Sequence, residues 1–265
     1  MPPQILGIVN ITEDSFSDGG RFLAPDRAIA HALALVEAGA AVIDLGPASS
    51  HPDAAPVTAE EEIRRLAPVM DALAARGVAM SVDSFQPQTQ RFALARGVAF
   101  LNDIQGFQDA EIYPELAASS CKLIVMHAVQ GRGIATRVEV EPASLPDRVA
   151  KFFSLRIGAL ERAGIARSRL ILDPGMGFFL GSQPEASLVM LRDLKNLKAR
   201  FGLPVLVSVS RKSFLRTLTG RGLEQAGTAT LAAELFAAAQ GVDFIRTHDA
   251  AALRDGLKIW SLLQE

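Results

Sequence analysis

Short runs of apolar residues recur along the chain, and each is followed by a longer segment in which apolar residues recur at helical spacing. Runs of this length and β-branched content are typical of buried strands. A chain that alternates strands with helices builds a parallel sheet, because each helix carries the chain back to the start of the next strand. The predicted strands are residues 5–9, 41–45, 78–82, 99–101, 123–126, 170–172, 205–209 and 244–245.

The segments between these strands have the pattern of amphipathic helices. Ile63, Leu66 and Met70 follow the i, i+3, i+7 spacing that places apolar side chains on one face of a helix. Glycines stand between several of these helices and the next strand, where a C-terminal cap requires left-handed backbone geometry. The glycines predicted to cap helices are Gly39, Gly77, Gly97, Gly164, Gly202 and Gly241.

The number of strand and helix units predicts a closed α/β barrel. Eight such units in 265 residues fit one (β/α)8 TIM barrel, which typically needs ~250 residues. An open, doubly wound sheet would carry a glycine-rich fingerprint after its first strand, and Gly7-Ile-Val-Asn10 is not one. We therefore expect a single domain over residues 1–265.

Composition and charge favour a protein whose partner is a small molecule. A net charge of −2 provides no basic surface for nucleic acid or for anionic lipid. The start of the chain has no cationic region, and the apolar run 5–9 is too short for a signal peptide or a membrane span, so we expect a cytoplasmic protein. A single cysteine, Cys121, excludes an internal disulfide and is interpreted as a buried structural residue. A homodimer is compatible with the sequence.

Polar residues stand at the ends of the predicted strands. In a (β/α)8 barrel the carboxyl ends of all strands meet at one mouth, where active sites form. Three of these residues, Asp44, Asp103 and His127, are equally well explained by hydrogen bonds in the core and are not assigned to the site. The others are Asn10, Asp83, Asn102, Asp173, Ser210, Arg211, Lys212, Arg246 and His248.

The types of these side chains predict a ligand. Asp83 and Asp173 can accept hydrogen bonds from the amino and ring N–H groups of a flat heterocycle with a guanine-like edge. Asn102 adds an amide, and Lys212 can donate to a carbonyl or ring nitrogen of the same heterocycle. The mouth of the barrel is therefore predicted to bind a guanine-like ring.

A second group of strand-end residues predicts a phosphate site. Arg246 and His248 follow the eighth strand, and Ser210 and Arg211 follow the seventh, where barrels commonly bind phosphate groups. The amide oxygen of Asn10 is suited to Mg2+, which takes few protein ligands and completes its shell with phosphate oxygens and water. The predicted ligand is a heterocycle that carries phosphate, with Mg2+ as the cofactor.

Seven motifs are spread along almost the whole chain. They are Gly7-Ile-Val-Asn-Ile-Thr-Glu-Asp-Ser-Phe-Ser-Asp-Gly-Gly20, Ser81-Val-Asp-Ser84, Leu101-Asn-Asp-Ile104, Val125-Met-His127, Asp173-Pro-Gly-Met-Gly-Phe178, Ser208-Val-Ser-Arg-Lys-Ser213 and Arg246-Thr-His248. Together these motifs resemble the dihydropteroate synthase family. The motif that begins at Gly7 and the Ser-Arg-Lys-Ser motif are highly specific as a pair, whereas Asn-Asp-Ile alone is weak.

The resemblance implies a transferase of folate biosynthesis. Such an enzyme joins 6-hydroxymethyl-7,8-dihydropterin pyrophosphate to 4-aminobenzoate and forms 7,8-dihydropteroate and pyrophosphate. It also implies an SN1-like course in which Mg2+ assists the departure of pyrophosphate. By position, the catalytic residues would be Asn10, Asp83, Asp173 and Lys212.

The resemblance also assigns binding residues by position. The pterin would contact Asp83, Asn102, Ile104, Met126, Asp173 and Lys212. Pyrophosphate would contact Asn10, Arg246 and His248, with Asn10 also the ligand of Mg2+. The aminobenzoate would contact Phe16, Ser50, Pro52, Phe178, Phe179 and Ser213.

Two segments depart from the usual pattern of the family. The second loop reads Ala48-Ser-Ser-His-Pro52 where the family has Glu-Ser-Thr-Arg-Pro, so His51 replaces an arginine expected to face pyrophosphate. The segment after Asp173 is two residues longer than usual and lacks the usual lysine. Both departures resemble the plasmid-borne, sulfonamide-resistant (Sul) branch, which implies that the chain is insensitive to sulfonamides.

Two other functions are weighed against this interpretation. A folate-dependent methyltransferase barrel shares the pterin-binding strand ends, but the Ser210-Arg-Lys-Ser213 motif argues against it. A pterin-binding subunit without catalysis is supported only by His51, since the other polar positions of the family are filled. Lack of methyl transfer from methyltetrahydrofolate would exclude the first alternative, and a turnover assay separates the second from a synthase.

Overall fold

A computed structural model describes residues 2–12 and 25–264 of the chain. Its strands are β1 (Gln4–Asn10), β2 (Val42–Gly46), β3 (Met80–Asp83), β4 (Phe100–Asp103), β5 (Lys122–Met126), β6 (Leu170–Asp173), β7 (Leu206–Val207) and β8 (Phe244–Thr247). All neighbouring strands are parallel, in the order β6-β5-β4-β3-β2-β1-β8-β7. A parallel bridge between Leu172 and Val205 joins the two ends of this sheet and closes the barrel.

Helices follow the strands and surround the barrel. Within the described ranges they are α1 (Pro25–Glu37), α2 (Ala59–Ala74), α3 (Pro87–Ala95), α4 (Tyr113–Ala118), α5 (Leu145–Arg162), α6 (Pro184–Phe201), α7 (Ser213–Thr219), α8 (Gly227–Ala239) and α9 (Ala250–Leu262). The predicted (β/α)8 TIM barrel, a single domain, is confirmed. A short additional helix, α7, lies between β7 and α8.

The seventh strand is shorter than the prediction of residues 205–209. Val205 makes the closing bridge, and its carbonyl accepts hydrogen bonds from Asp243 and Phe244. At the other end, the carbonyl of Val209 accepts from the N–H of Lys212, so the chain already turns there. The strand therefore ends early because its last predicted residues enter the turn that carries Lys212.

Apolar side chains fill two regions of the core. The larger region lies between the strands and the helices and includes Leu66 and Met70 of α2, in agreement with the predicted helical spacing. The smaller region fills the inside of the barrel, and its members are Leu6, Val42, Phe100, Ile124, Ile171, Leu206 and Phe244. We call this set the barrel floor, because the polar strand ends lie above it.

The predicted helix caps and the predicted role of the cysteine agree with the structure. All six predicted capping glycines have positive φ angles. At Gly202, for example, φ is 61° and the N–H bonds to the carbonyl of Lys198, which ends α6. Cys121 is buried, and burial raises its pKa to about 12, so the thiol is unsuited to nucleophilic catalysis.

The described residues include no helix that is both long enough and apolar enough to cross a membrane. The cytoplasmic location stays a prediction from the sequence.

A buried carboxyl group lies behind the barrel, on the helix that packs against the last strands. Glu234 of α8 is 1% exposed and makes a side-chain hydrogen bond with Thr247 of β8. Its Oε1 atom has no hydrogen-bond partner among the residues that the structure describes. Burial raises the pKa of Glu234 to about 8, so the carboxyl group is neutral at pH 7 in the folded protein.

This burial predicts a specific pH dependence of stability. Between the ordinary pKa near 4.5 and the folded pKa near 8, the unfolded chain loses the proton of Glu234 while the folded chain keeps it. The free energy of unfolding therefore falls with rising pH in this window. Glu234→Gln cannot titrate, and we expect its stability relative to the parent to increase from pH 5 to pH 8 by at least ~1.4 kcal/mol, the equivalent of one pKa unit.

Urea unfolding of the parent and of Glu234→Gln at pH 5 and pH 8 measures this difference. Glu224→Gln, at an exposed position near the start of α8, is the matched control. Equal pH dependence in all three proteins would show that Glu234 is not buried as a neutral acid.

Candidate active site

The alternation of side chains along the strands builds a polar layer on the barrel floor. Successive side chains of a strand point to opposite faces, so a residue two positions after a floor residue also points into the barrel, one layer higher. Asn102 follows Phe100 in this way, Asp173 follows Ile171, and Arg246 follows Phe244. These polar residues therefore converge, because each of the three strands places its polar side chain in the same layer above the floor.

A cavity of about 340 Å³, a volume that includes open solvent at its mouth, lies in this layer. Its lining includes nine residues predicted to form the site, namely Ser50, Asp83, Asn102, Ile104, Met126, Asp173, Phe179, Lys212 and Arg246. Met176 and Ser208, which were not predicted, complete the wall. The structure thus brings together the residues assigned to the pterin.

An ion-pair network connects three strands on one side of the cavity. Nε of Arg246 donates to Oδ2 of Asp44, and Nη2 donates to Oδ2 of Asp83 at 2.9 Å. Burial lowers the pKa of Arg246, but the charges of Asp44 and Asp83 outweigh this effect and raise it. Burial raises the pKa of Asp83, and the charge of Arg246 opposes that shift. Arg246 therefore stays charged and favours the carboxylate form of Asp83.

Asp44 was left out of the predicted site, and the network shows what the prediction missed. The residue is fully buried on β2, and its Oδ1 atom has no hydrogen-bond partner within the described residues. A signal was present in the sequence, since a carboxylate between Ile43 and Leu45 in the middle of a buried strand requires a charged partner. The sequence did not say that the partner is Arg246.

Asp173 lies across the cavity from this network, at the end of β6. Its Oδ1 atom accepts a hydrogen bond from the N–H of Gly175 at 2.8 Å. Burial raises the pKa of Asp173 to about 6, although the Gly175 bond and the charge of Lys212 lower it. At pH 7 the carboxylate is mostly ionised and can accept hydrogen bonds from a ligand.

The chain can pass close to β5 after Asp173 only because residue 175 is glycine. Gly175 has φ of +76°, and a Cβ atom there would lie 2.4 Å from the carbonyl oxygen of His127. His127 itself is buried, with Nδ1 at 3.2 Å from the carbonyl oxygen of Pro174. Burial lowers the pKa of His127 to about 4, so this residue is a neutral part of the support of the site.

Asp103, the third strand-end residue left unassigned, also has a structural role. It is buried, and its carboxylate accepts hydrogen bonds from the side chain of Gln90 and from the N–H of Gln105. It does not line the cavity described above. Its contacts hold the turn after β4 in place.

Lys212 and Asn102 supply the remaining polar groups of the cavity. Nζ of Lys212 lies 5.0 Å from the centroid of the Phe179 ring. Burial and the charge of Arg246 lower the pKa of Lys212 to about 8, while Asp173 and Asp83 oppose this shift. Oδ1 of Asn102 is buried without a hydrogen-bond partner in the described part of the chain. An unpaired buried acceptor of this kind is stabilised when a ligand donates to it.

His248 lies beside the cavity, where Ser210 fixes its ring. The Ser210 Oγ atom accepts from the backbone N–H of His248 at 3.2 Å and lies 2.9 Å from Nδ1 of the ring. Burial and the charge of Arg246 lower the pKa of His248 to about 3. The ring is therefore neutral, and a Ser210 hydroxyl that donates to Nδ1 leaves the proton on Nε2.

The other predicted residues lie around the cavity or outside the described ranges. The Oδ1 atom of Asn10 packs against Gly46, where a Cβ atom would lie 3.1 Å away. Ser213 begins α7 beside Gly177. Phe178 contacts His51 at a ring centroid distance of 5.8 Å. Phe16 lies outside the described residues, and five predicted residues do not line the cavity, namely Asn10, Pro52, Phe178, Ser213 and His248.

Comparison with known proteins first identifies the class. Residues 6–248 match the family described as pterin binding enzyme. This range contains all eight strands of the barrel except the first two residues of β1, and it includes every residue that lines the cavity. The chain belongs to this family.

The relatives are dihydropteroate synthases. "Dihydropteroate synthase type-2" of Escherichia coli is 63% identical over 261 residues, which cover 98% of this chain and 96% of the relative. The structure of Xanthomonas albilineans dihydropteroate synthase with 4-aminobenzoic acid is similar with a TM-score of 0.90 and 38% identity, over 99% of this chain and 93% of that one. The structure of the same enzyme with 7,8-dihydropteroate has a TM-score of 0.86 and 36% identity, over 99% and 94% of the two chains.

The pKa of Asp173 predicts how pterin binding depends on pH. A pterin that donates to the carboxylates of Asp83 and Asp173 binds their ionised forms, and Lys212 donates to the ring as a cation, so we expect the Kd to be lowest between pH 7 and pH 8 and to rise at least tenfold per unit below pH 6. Asp173→Asn offers a donor where the ring also donates, which costs on the order of 3 kcal/mol, a more than hundredfold loss of affinity.

Calorimetric titration with the dihydropterin alcohol between pH 5 and pH 8 measures both effects. Circular dichroism of Asp173→Asn checks that the barrel is intact. Pterin affinity within tenfold of the parent in this variant would contradict the assigned role, because the contact would then be dispensable.

Proposed function

We propose that the chain joins 6-hydroxymethyl-7,8-dihydropterin pyrophosphate to 4-aminobenzoate and releases 7,8-dihydropteroate and pyrophosphate. The observation that carries this proposal is the layer of Asp83, Asn102, Asp173 and Lys212 on the barrel floor, in a chain whose relatives are named dihydropteroate synthases. These groups match the donors and acceptors of a pterin ring.

The pterin is bound by carboxylates on two sides of the cavity. Asp83 is oriented by Arg246, and Asp173 is oriented by the N–H of Gly175, so each carboxylate keeps an oxygen for the ligand. Lys212 donates to the ring from the start of α7. Ile104 and Met126 supply apolar walls on which the flat ring rests.

The pyrophosphate is placed beside Arg246 and His248. Two nitrogens of Arg246 bond to Asp44 and Asp83, and Nη1 has no hydrogen-bond partner among the described residues, which leaves it for a phosphate oxygen. His248, neutral in the free protein, donates through Nε2. Arg246 thus contributes charge to the leaving group, and His248 contributes a neutral hydrogen bond.

Asn10 is the proposed protein ligand of Mg2+. Within the described residues there is no group of three or more His, Cys, Asp or Glu side chains that could hold a metal ion. A single amide oxygen at the end of β1 fits an ion that takes most of its ligands from phosphate and water, as Mg2+ does. Bound there, Mg2+ would neutralise negative charge on the departing pyrophosphate.

The residues of the cavity also fit an SN1-like course. When pyrophosphate leaves, the methylene carbon of the pterin carries positive charge, and the carboxylates of Asp83 and Asp173 stabilise it electrostatically. The arylamine of 4-aminobenzoate is neutral and nucleophilic, so no strong base is required. Ser213 at the start of α7 binds its carboxylate, and Ser50 and Phe179 contact its ring.

A steady-state assay tests the proposed reaction and the role of Mg2+ together. We expect equal amounts of 7,8-dihydropteroate and pyrophosphate when both substrates and Mg2+ are present. Removing Mg2+ with EDTA should abolish sustained turnover, and Asn10→Ala should raise the Mg2+ concentration required for half-maximal rate. The dihydropterin alcohol should still bind in EDTA, because its contacts involve no metal.

The controls in this assay separate the possible failures. Product formation that is undiminished in metal-free buffer would exclude the metal role but not the synthase. If no product forms with Mg2+ present, the chain is a pterin-binding protein without synthase activity.

We further propose that the enzyme turns over in the presence of sulfonamides. A sulfonamide resembles 4-aminobenzoate, but its sulfonyl group carries an additional substituent that must project beyond the position of the carboxylate. Phe179 lines the cavity, and the preceding residue, Phe178, contacts His51 of the second loop. Bulky side chains in this lengthened segment exclude the substituent without contacting the carboxylate near Ser213. Thousandfold discrimination needs only ~4 kcal/mol, which a steric clash can supply.

Deleting two residues from positions 178–180 tests whether the lengthened segment, rather than the altered second loop, causes the insensitivity to sulfonamides. We expect the deletion to lower the sulfonamide inhibition constant by about a hundredfold or more, ~2.7 kcal/mol, with a smaller effect on the KM for 4-aminobenzoate. Phe178→Ala is a second variant that leaves the chain length unchanged. If His51→Arg alone restores inhibition, the lengthened segment is not the cause.

A further inference from the structure

Three segments meet at one side of the barrel mouth. The second loop is residues 47–58 between β2 and α2, the bridging loop is residues 127–141 after β5, and the lengthened segment is residues 174–183 after β6. The second loop and the lengthened segment carry the two departures from the family pattern. The bridging loop lies between them and contacts both.

The bridging loop holds the lengthened segment through the backbone. The N–H of Val129 donates to the carbonyl of Phe179 at 2.9 Å, and the N–H of Ser182 donates to the carbonyl of Val138 at 2.8 Å. Gly181 lies so close to this loop that a Cβ atom there would be 3.1 Å from the same Val138 carbonyl oxygen. The position of Phe179 in the cavity wall therefore depends on the bridging loop.

The bridging loop holds the second loop as well. The N–H of Ala135 donates to the carbonyl of Ser50 at 3.1 Å. Two residues further on, Nη1 and Nη2 of Arg137 donate to the two carboxylate oxygens of Asp53 at 2.8 and 2.5 Å. A bidentate pair of this kind fixes orientation as well as distance. Ser50 and Phe179 both line the cavity, so the bridging loop connects two parts of its wall.

Phe178 lies where the three segments meet. The Arg137 guanidinium carbon is 5.6 Å from the centroid of the Phe178 ring, within the range of a cation–π contact. The ring of His51 also contacts Phe178, with an angle of 84° between the two ring planes. Nδ1 of His51 accepts a hydrogen bond from the N–H of Asp53 at 3.3 Å, which keeps this ring in place. Arg137 thus contacts both the second loop and the lengthened segment.

We propose that Arg137 is a positioning residue that fixes Phe178 and the second loop relative to each other, and that it thereby determines which aminobenzoate-like molecules the site accepts. The inference rests on the proposed function and assigns a residue to its specificity. The two departures then act together, because His51 and Phe178 pack against each other, while Arg137 contacts Phe178 directly and is linked to His51 through Asp53.

The expected effect is moderate, because the pair is exposed to solvent. The side chains of Arg137 and Asp53 are 53% and 61% exposed, and ion pairs at such positions contribute little to stability. We therefore expect the fold and the binding of the dihydropterin to be unchanged when the pair is removed. Discrimination against sulfonamides should fall about threefold to fivefold, which corresponds to ~0.7 to 1 kcal/mol.

A double-mutant cycle tests the proposal on the full chain. Arg137→Gln, Asp53→Asn and the double variant are compared with the parent, and Arg132→Gln, an exposed arginine of the same loop, is the control. The readout is the sulfonamide inhibition constant divided by the KM for 4-aminobenzoate. We expect each single variant to lower this ratio threefold to fivefold, the double variant to lower it no further, and the KM for the dihydropterin pyrophosphate to stay within twofold.

Amide hydrogen exchange provides a readout that does not require turnover. In Arg137→Gln we expect faster exchange in residues 49–54 and 177–182, because both segments lose a shared contact. If the parent forms no dihydropteroate, the proposed function fails, and the exchange data alone decide the role of Arg137. Normal turnover with additive effects in the cycle, an unchanged ratio, or unchanged exchange in both segments would overturn the inference.

Discussion

The guanidinium of Arg246, held between the carboxylates of Asp44 and Asp83, is the interaction on which the rest of the site depends. It joins β8 to β2 and β3 above the barrel floor, and Asp44 is fully buried. Removing one partner of such a buried network leaves an uncompensated charge, which typically costs ~3–5 kcal/mol. The same side chain neutralises Asp44, and in the proposed function it orients Asp83 toward the pterin and keeps Nη1 for a phosphate oxygen. In that proposal one residue connects the two halves of the substrate.

The charges around the cavity suit the proposed chemistry. Asp44, Asp83 and Asp173 contribute three carboxyl groups, and Lys212 and Arg246 contribute two cations, so the fully ionised set has a net charge of −1. The ionised carboxylates of this set stabilise a cation on the pterin methylene in the proposed reaction, and they do so without reorganisation during the reaction. Burial raises the pKa of Asp173 to about 6 and that of Asp83 to about 7, and it lowers that of Lys212 to about 8, so Asp173 and Lys212 are mostly charged at pH 7. These charges fit the short-lived positive charge of the proposed reaction.

Much of the fold and of the pterin site could be predicted from the sequence, because both follow from local patterns. The apolar runs mark the strands, and two-residue alternation places Asn102, Asp173 and Arg246 in one layer above the floor. The partners of these residues could not be predicted, because they come from distant parts of the chain. Arg246 and Asp44 are 202 positions apart, and Arg137 and Asp53 are 84 positions apart. Nor could the sequence show that Phe178, predicted to contact the aminobenzoate, packs against His51 and Arg137, which come from two other segments of the chain. The aminobenzoate contact stays a prediction.

Binding of the dihydropterin alcohol, which carries no phosphate, to Arg246→Gln tests the central role of Arg246 most directly. If Arg246 orients Asp83 and favours its carboxylate form, loss of Arg246 raises the pKa of Asp83 further and removes an acceptor from the pterin site. Calorimetry at pH 7 should then show affinity at least tenfold weaker than in the parent, ~1.4 kcal/mol, with circular dichroism showing an intact barrel. Unchanged affinity for this ligand in a folded variant would contradict the account, because Arg246 would then serve the pyrophosphate alone.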